Sequence, residues 1–211
     1  MLHKTVKSTS PDIADPLGPD SQDDRDDYTR TPAPGVELSV IIPTFNERAN
    51  VLELIQRLQT TLVKYRWEVI FVDDDSPDET ARLVREIAQC DIRVRCIQRI
   101  ARRGLSSACT EGMLSSSAPY MAVIDGDLQH DETLLPKMLK VLKHDKADIV
   151  VGTRYSPRGG LGDWDRSRVA ISRFATWLSR LVLKAELSDP MSGFFMLRRE
   201  VFEHSVRSLS G

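Results

Sequence analysis

Leu38-Ser39-Val40-Ile41-Ile42-Pro43-Thr44-Phe45-Asn46-Glu47 is a short apolar run that stops at a proline and opens into a helical pattern. Its first five residues have the texture of a buried strand, and Pro43, which lacks a backbone donor, ends it. Val51, Leu54, Ile55, Leu58 and Leu62 then recur at helical spacing. The same alternation repeats downstream. Glu68 to Val72 reads as a second strand, followed by a helix with Leu83, Val84 and Ile87 on one face. Val94 to Gln98 is a third and weaker strand, and small residues from about Ser106 to Ser116 form the next helix. Tyr120 to Ile124 is a fourth strand, Leu134 to Leu142 a helix, and Asp148 to Gly152 a fifth strand. Continuous apolar strands alternating with helices predict an α/β fold, with a mostly parallel sheet covered by helices on both faces. Such sheets bind ligands at the carboxyl ends of their strands, so chemistry is sought there.

The 211 residues suffice for one sizeable domain, and a formal net charge of −2 supplies no basic field for nucleic acid or anionic lipid. Local motifs must therefore name the partner. The three cysteines, Cys90, Cys96 and Cys109, show no CxxC spacing. That argues against a disulfide framework or a thiolate zinc site and for a reducing compartment, with small apolar fillers as the plain alternative. No apolar run reaches the roughly 18 residues that would mark a membrane span, and Met1 to Ser10 lacks the apolar core of a secretory signal. A cytosolic domain is expected. Residues 1–35 are rich in Ser, Pro and Asp, with Asp23, Asp24, Asp26 and Asp27 around Arg25, and read as a disordered acidic tail.

Each strand end carries polar residues that have both a structural and a functional reading. After the first strand, Asn46 or Asn50 can cap the helix, but capping leaves Glu47 unexplained. After the second, Val72-Asp73-Asp74-Asp75-Ser76-Pro77-Asp78 places three like charges side by side. Either they are solvated, with Asp75 or Ser76 capping the next helix, or one accepts hydrogen bonds from the base or ribose of a ligand. After the fourth, Asp125-Gly126-Asp127-Leu128-Gln129-His130 sets carboxylates two residues apart around a glycine that lets the backbone bend. Oxygen ligands without thiols suit Mg²⁺ or Mn²⁺, ions that also bind diphosphate oxygens. The structural alternative is an acidic turn capping the helix that starts near Asp131. After the fifth strand, Gly152-Thr153-Arg154-Tyr155 offers a guanidinium for phosphate or for the acidic cluster. A Gly- and Pro-containing loop follows, then a helix that interleaves Arg166, Arg168 and Arg173 with Val169, Ile171, Phe174, Trp177 and Leu178. That pattern suits either core packing or a membrane surface. No P-loop, dinucleotide fingerprint or nucleophile elbow is present, which weakens NTPase, dehydrogenase and hydrolase readings.

With these four strand-end motifs in order, the chain resembles glycosyltransferase family 2 over about residues 37–204, within it the dolichyl-phosphate mannosyltransferase and polyprenyl-phosphate glycosyltransferase branch. The resemblance implies a GT-A (Rossmann-like) fold, a nucleotide-diphosphate sugar donor of the GDP-mannose or UDP-glucose type, and a polyprenyl-phosphate acceptor at the cytosolic face of a membrane. By that likeness Pro43, Phe45, Glu47, Val72, Asp74 and Gly126 hold the nucleotide sugar. Asp125 sits by nucleotide and metal, with Asp127 and Gln129 as further ligands of Mg²⁺ or Mn²⁺. Arg154 meets donor phosphates, Arg168 and Arg173 meet the acceptor phosphate, and Asp189, in the Asp-x-x-Ser-Gly-Phe element, lies near the sugar. The implied reaction is a direct inverting displacement by a phosphate that is already anionic.

Three features depart from the family pattern. Phe45 stands where a Tyr is usual and Ser106 where a Gly is usual. The chain also ends before a basic Arg…Gly-Glu-Ser-Lys segment, so the domain over 36–211 is expected to be incomplete at its C-terminus. The rival readings are a transferase of the family with another sugar or lipid acceptor, and a non-catalytic nucleotide-binding scaffold.

Overall fold

The structure, a computed structural model, describes residues 35–144, 147–152 and 193–209. Its strands are β1 (Leu38–Thr44), β2 (Trp67–Asp73), β3 (Val94–Gln98), β4 (Tyr120–Val123), β5 (Ile149–Val151) and β6 (Phe195–Arg198). Its α-helices are α1 (Val51–Thr61), α2 (Thr80–Ala88), α3 (Leu105–Ser115), α4 (Leu135–Lys143) and α5 (Arg199–Leu209). The six strands form one sheet in the order β3-β2-β1-β4-β6-β5. β1 to β4 pair in parallel, while β6 runs antiparallel to both β4 and β5.

Alternation along the strands sorts the core into two layers. Leu38, Val40, Ile42, Val69 and Phe71 face the layer built by α1, α2 and α4. Ile41, Ile70, Val72, Met121 and Val123 face α3 and Phe202 of α5. Every residue of β2 is buried, which is why it reads as a continuous apolar run. In β3, at the edge of the sheet, only Val94 is fully buried, matching its weaker signal. The α/β class, the mostly parallel sheet and helices on both faces are thus as the sequence predicts. Cys109 is buried in the core and its thiol is pushed up by that burial, as befits an apolar filler.

The structure corrects several local readings. The fifth strand does not extend the parallel set, because β6 inserts between it and β4. Neither β6 nor α5 is among the elements read from the sequence. Neither Asn46 nor Asn50 caps α1 through its side chain; Asn50 Nδ2 instead donates to Glu47 Oε2 at 2.6 Å. Neither Asp75 nor Ser76 caps α2: Asp78 Oδ1 accepts from the Thr80 amide and hydroxyl at 3.0 and 2.6 Å. Asp131 does cap, accepting from Thr133 N ahead of the 3₁₀ turn that leads into α4. The expected tail lies, apart from Gly35, outside the described residues, as does the basic and apolar helix after Arg166. Among the described residues no helix is long and apolar enough to cross a membrane.

Candidate active site

The loops after the first four strands carry all five described non-glycine residues with positive φ: Asn46 (63°), Asp75 (58°), Glu79 (66°), Ala101 (55°) and Leu128 (62°). Such backbone costs about 1–3 kcal/mol per residue, and its clustering on one edge is characteristic of a functional site. Asn and Asp tolerate the left-handed region, whereas Leu128 gains nothing from its side chain there. The edge is the carboxyl one, where the fold directs attention.

The β1 and β2 loops are laced together. The amides of Asn46, Glu47 and Arg48 donate to Ser76 Oγ, Thr80 Oγ1 and Asp78 Oδ2 at 2.9, 3.1 and 3.1 Å. Asp78 is held below its ordinary range: burial works to raise it, but hydrogen bonds from Thr80 and the Arg48 amide prevail.

The three adjacent aspartates avoid mutual repulsion by turning to different partners. Asp73 accepts from Thr44 Oγ1 and from the Ser76 amide and hydroxyl, and so shapes the turn. Asp74, 8% exposed, pairs with Arg99 Nη1 at 2.5 Å and accepts from the Gly104 amide at 2.7 Å. Asp75 receives Gln98 Nε2 and the Ala101 amide. Arg99 is itself buried; its other contacts are Gly104 O, Ser107 Oγ and, as an ion pair at 3.2 Å without hydrogen-bond alignment, Glu111. Asp74, a sequence candidate for nucleotide contact, therefore spends both oxygens on fixing the β3–α3 loop. That loop brings Arg103 over the ring of Phe45, 4.1 Å from its centroid. Phe45 is 40% exposed and Pro43 partly buried, whereas the Val72 side chain lies in the core, so any ligand contact at 72 runs through the main chain.

The acidic motif after β4 closes the site. Gly126 is buried against Glu47, Thr44 and Ile42: a Cβ there would stand 3.3 Å from Glu47 Cγ. Glu47 is half-buried, and burial raises its carboxyl, with the charges of Asp127, Asp78 and Asp125 acting in the same direction. Four carboxylates from three loops thus share one edge. Asp127 and Gln129 are exposed, and Asp127 Oδ1 accepts from the Gln129 amide at 3.1 Å. Asp125 Oδ2 lies 3.1 Å from His130 Nε2.

This donor set fits a divalent cation. It is all oxygen, it carries surplus negative charge, and nearby Glu47 already has its charged form disfavoured. Among the described residues no three His, Cys, Asp or Glu side chains stand together as a finished ligand shell. Mg²⁺ and Mn²⁺ suit such an incomplete shell, because phosphate oxygens and water complete it.

Of the sequence-predicted residues, Pro43, Phe45, Glu47, Asp74, Asp125, Gly126, Asp127 and Gln129 come together at this edge, with Val72 beneath it. Arg154, Arg168, Arg173 and Asp189 lie outside the described residues. Sequence reasoning missed Arg99, Arg103 and His130. A charge directly after the third strand was a usable signal for Arg99, and His130 stands in the same motif as its partner Asp125; nothing local marks Phe45 as the partner of Arg103.

Several known proteins are similar to this chain in sequence or in fold. The chain is 39% identical over 170 residues to a dolichol-phosphate mannosyltransferase of Pyrococcus furiosus, covering 80% of this chain and 48% of that one. It is 39% identical over 173 residues to the dolichol-phosphate mannosyltransferase of Saccharomyces cerevisiae, covering 80% and 63%. It therefore spans about half to two thirds of the length of these relatives. Among solved structures, a mannosyltransferase from Pyrobaculum calidifontis in complex with GDP-Man and Mn²⁺ superimposes with a TM-score of 0.57 at 20% identity, over 82% of this chain and 47% of that one. Glucosyl-3-phosphoglycerate synthase of Mycobacterium tuberculosis, in complex with Mn²⁺ and UDP-glucose, does so with a TM-score of 0.54 at 23% identity, over 79% and 58%. At these identities the likeness carries the fold, which is GT-A. Glycosyl transferase family 2 matches residues 39–206, nearly the whole of the sheet and its helices. With its acidic motifs on the carboxyl edge of that sheet, the chain belongs to glycosyl transferase family 2.

Proposed function

We propose that this chain carries the donor site of a metal-dependent transferase that moves mannose from a nucleotide-diphosphate sugar to a dolichyl-type polyprenyl phosphate at the cytosolic face of a membrane. The observation that carries the proposal is the convergence of Glu47, Asp78, Asp125 and Asp127 at one sheet edge, in a chain 36–39% identical to dolichol-phosphate mannosyltransferases. Phe45, Pro43 and Glu47 border the nucleotide, and Gly126 allows the acidic turn to lie against Glu47. Asp125, Asp127 and Gln129 would hold Mg²⁺ or Mn²⁺, which when bound neutralises charge on the departing nucleoside diphosphate. Asp74 and Arg99 fix the loop over the nucleotide. Arg154 is assigned to donor phosphates, Asp189 to the sugar, and Arg168 and Arg173 to the acceptor phosphate, which attacks the anomeric carbon directly with inversion. That attacking phosphate is already an anion, so the chain need supply no strong base.

The test is mannosyl transfer to dolichyl phosphate in detergent, with GDP-mannose and UDP-glucose as competing donors. Metal-dependent product from GDP-mannose is expected. Asp127→Asn should lower its rate by about 100-fold or more, the scale of removing one charge-stabilising group. Nucleotide binding without turnover of either donor would replace this reading with that of a scaffold, and retention at the anomeric carbon would overturn the direct displacement.

A further inference from the structure

His130 is spent where an apolar side chain would be expected. Its side chain is only 3% exposed, its ring packs against Phe194 with centroids 5.5 Å apart, and its Nε2 is directed at Asp125 Oδ2 at 3.1 Å. A carboxylate oxygen accepts, so Nε2 is the donor. Asp125 itself is 34% exposed at the side chain, and Oδ1 has no hydrogen-bond partner among the described residues. A half-exposed carboxylate ordinarily samples several rotamers; this one is restrained on two sides.

The second restraint is the backbone before β6. A Cβ on Gly193 would run into both Asp125 oxygens, so the main chain lies directly against the carboxylate. Phe194, the next residue, packs on His130, and a Cβ on Gly152 would run into the Phe194 ring. The Gly152 amide donates to Phe194 O at 2.8 Å. The ends of β5 and β6 thus back the imidazole that backs the carboxylate.

Building on the donor-site reading above, we infer that His130 is the positioning residue for Asp125: it holds Oδ2 by hydrogen bond, so that Oδ1 is presented to the metal–nucleotide complex in one orientation. Outer partners of this kind typically change metal affinity by about 10–100-fold when removed.

The experiment is a Mn²⁺ titration followed by electron paramagnetic resonance in the presence of GDP or UDP. It uses the full chain and the variants His130→Leu, His130→Asn and His130→Gln, with metal-free nucleotide binding and thermal midpoints measured in parallel. Leu keeps bulk without a donor, Asn has a donor set too short to reach, and Gln carries an amide nitrogen near the place of Nε2. We expect about a tenfold or greater loss of Mn²⁺ affinity for Leu and Asn, recovery to within about threefold for Gln, and unchanged metal-free nucleotide binding. Should Leu fail to fold, the Asn–Gln pair makes the same comparison. Wild-type affinity in the Leu or Asn variant overturns the inference, as does an equal loss in Asn and Gln, since then the donor is not what matters. If the wild-type chain binds neither nucleotide with Mn²⁺, the donor-site reading falls and takes this role of His130 with it.

Discussion

Glu47 carries the cost of assembling the site. Burial raises its carboxyl above the ordinary 4.5, the charges of Asp127, Asp78 and Asp125 add to the rise, and the hydrogen bond from Asn50 only partly offsets them. An acid whose folded value is raised gives stability that is complete below its unfolded value and is lost as pH rises through the folded value. The ionised Glu47 therefore opposes folding of the metal-free chain at neutral pH. Glu47→Gln retains an acceptor for Asn50 and removes the charge. Urea unfolding without divalent metal should show the variant losing less stability than wild type as pH rises above 4.5; equal slopes would contradict this. At the same scale, the three aspartates after β2 show how like charges share a turn: each meets different donors, and only Asp74 meets a buried guanidinium. The identities of these residues were plain in the sequence. Their division of labour was not, because Gln98, Arg99 and Gly104 arrive from β3 and the loop after it.

Among the elements, α3 lies close against the sheet. Gly112 lets it settle on β1 and β2: a Cβ there would stand 2.6 Å from Ile41 Cγ2 and 2.9 Å from Val72 Cγ2. A glycine in mid-helix costs up to about 1 kcal/mol relative to alanine, so its retention reflects packing. Gly112→Ala should gain that propensity yet lose about 1–3 kcal/mol to overpacking, for a net loss of stability in urea unfolding. Because Val72 leads directly into the aspartate turn, the displacement should also weaken nucleotide binding. A more stable variant with unaltered nucleotide affinity would refute the argument. The helix itself was readable from its small residues. Its exact seat was not, since seating depends on which strand faces it.

For the whole molecule, the parallel half of the sheet gathers four loops on one edge, and the two antiparallel strands bring Gly193 and Phe194 back to that edge. Nucleotide and metal are expected to stabilise this assembly together, because the site exists only in the folded state. At about 100 times the dissociation constant, a ligand adds roughly 2.7 kcal/mol. Thermal unfolding with GDP or UDP, each with and without Mn²⁺, should show one nucleotide raising the midpoint, and more so with metal. No shift from either would mean that the acidic edge does not form a donor site in this chain.

The sequence by itself determined the α/β class, the parallel strands, the acidic turns and their place at the strand ends. Hydrophobic periodicity is a local property, so β1 to β4 and helices α1, α3 and α4 could be read within a residue or two, although Pro43 lies inside β1 instead of ending it. The family, too, was legible, since four motifs in one order are a linear pattern. Only the tertiary structure decided that β6 enters between β4 and β5, that Asp74 is paired with Arg99 rather than left open, and that His130 and Gly193 restrain Asp125. The strand order, the Asp74–Arg99 pair and the approach of Gly193 join segments far apart in the chain, and His130, only five residues from Asp125, packs on Phe194 from a distant one. A three-residue strand such as β5 has no local signature of the partner that completes it, and a buried charge or imidazole shows its purpose only when the group opposite is known.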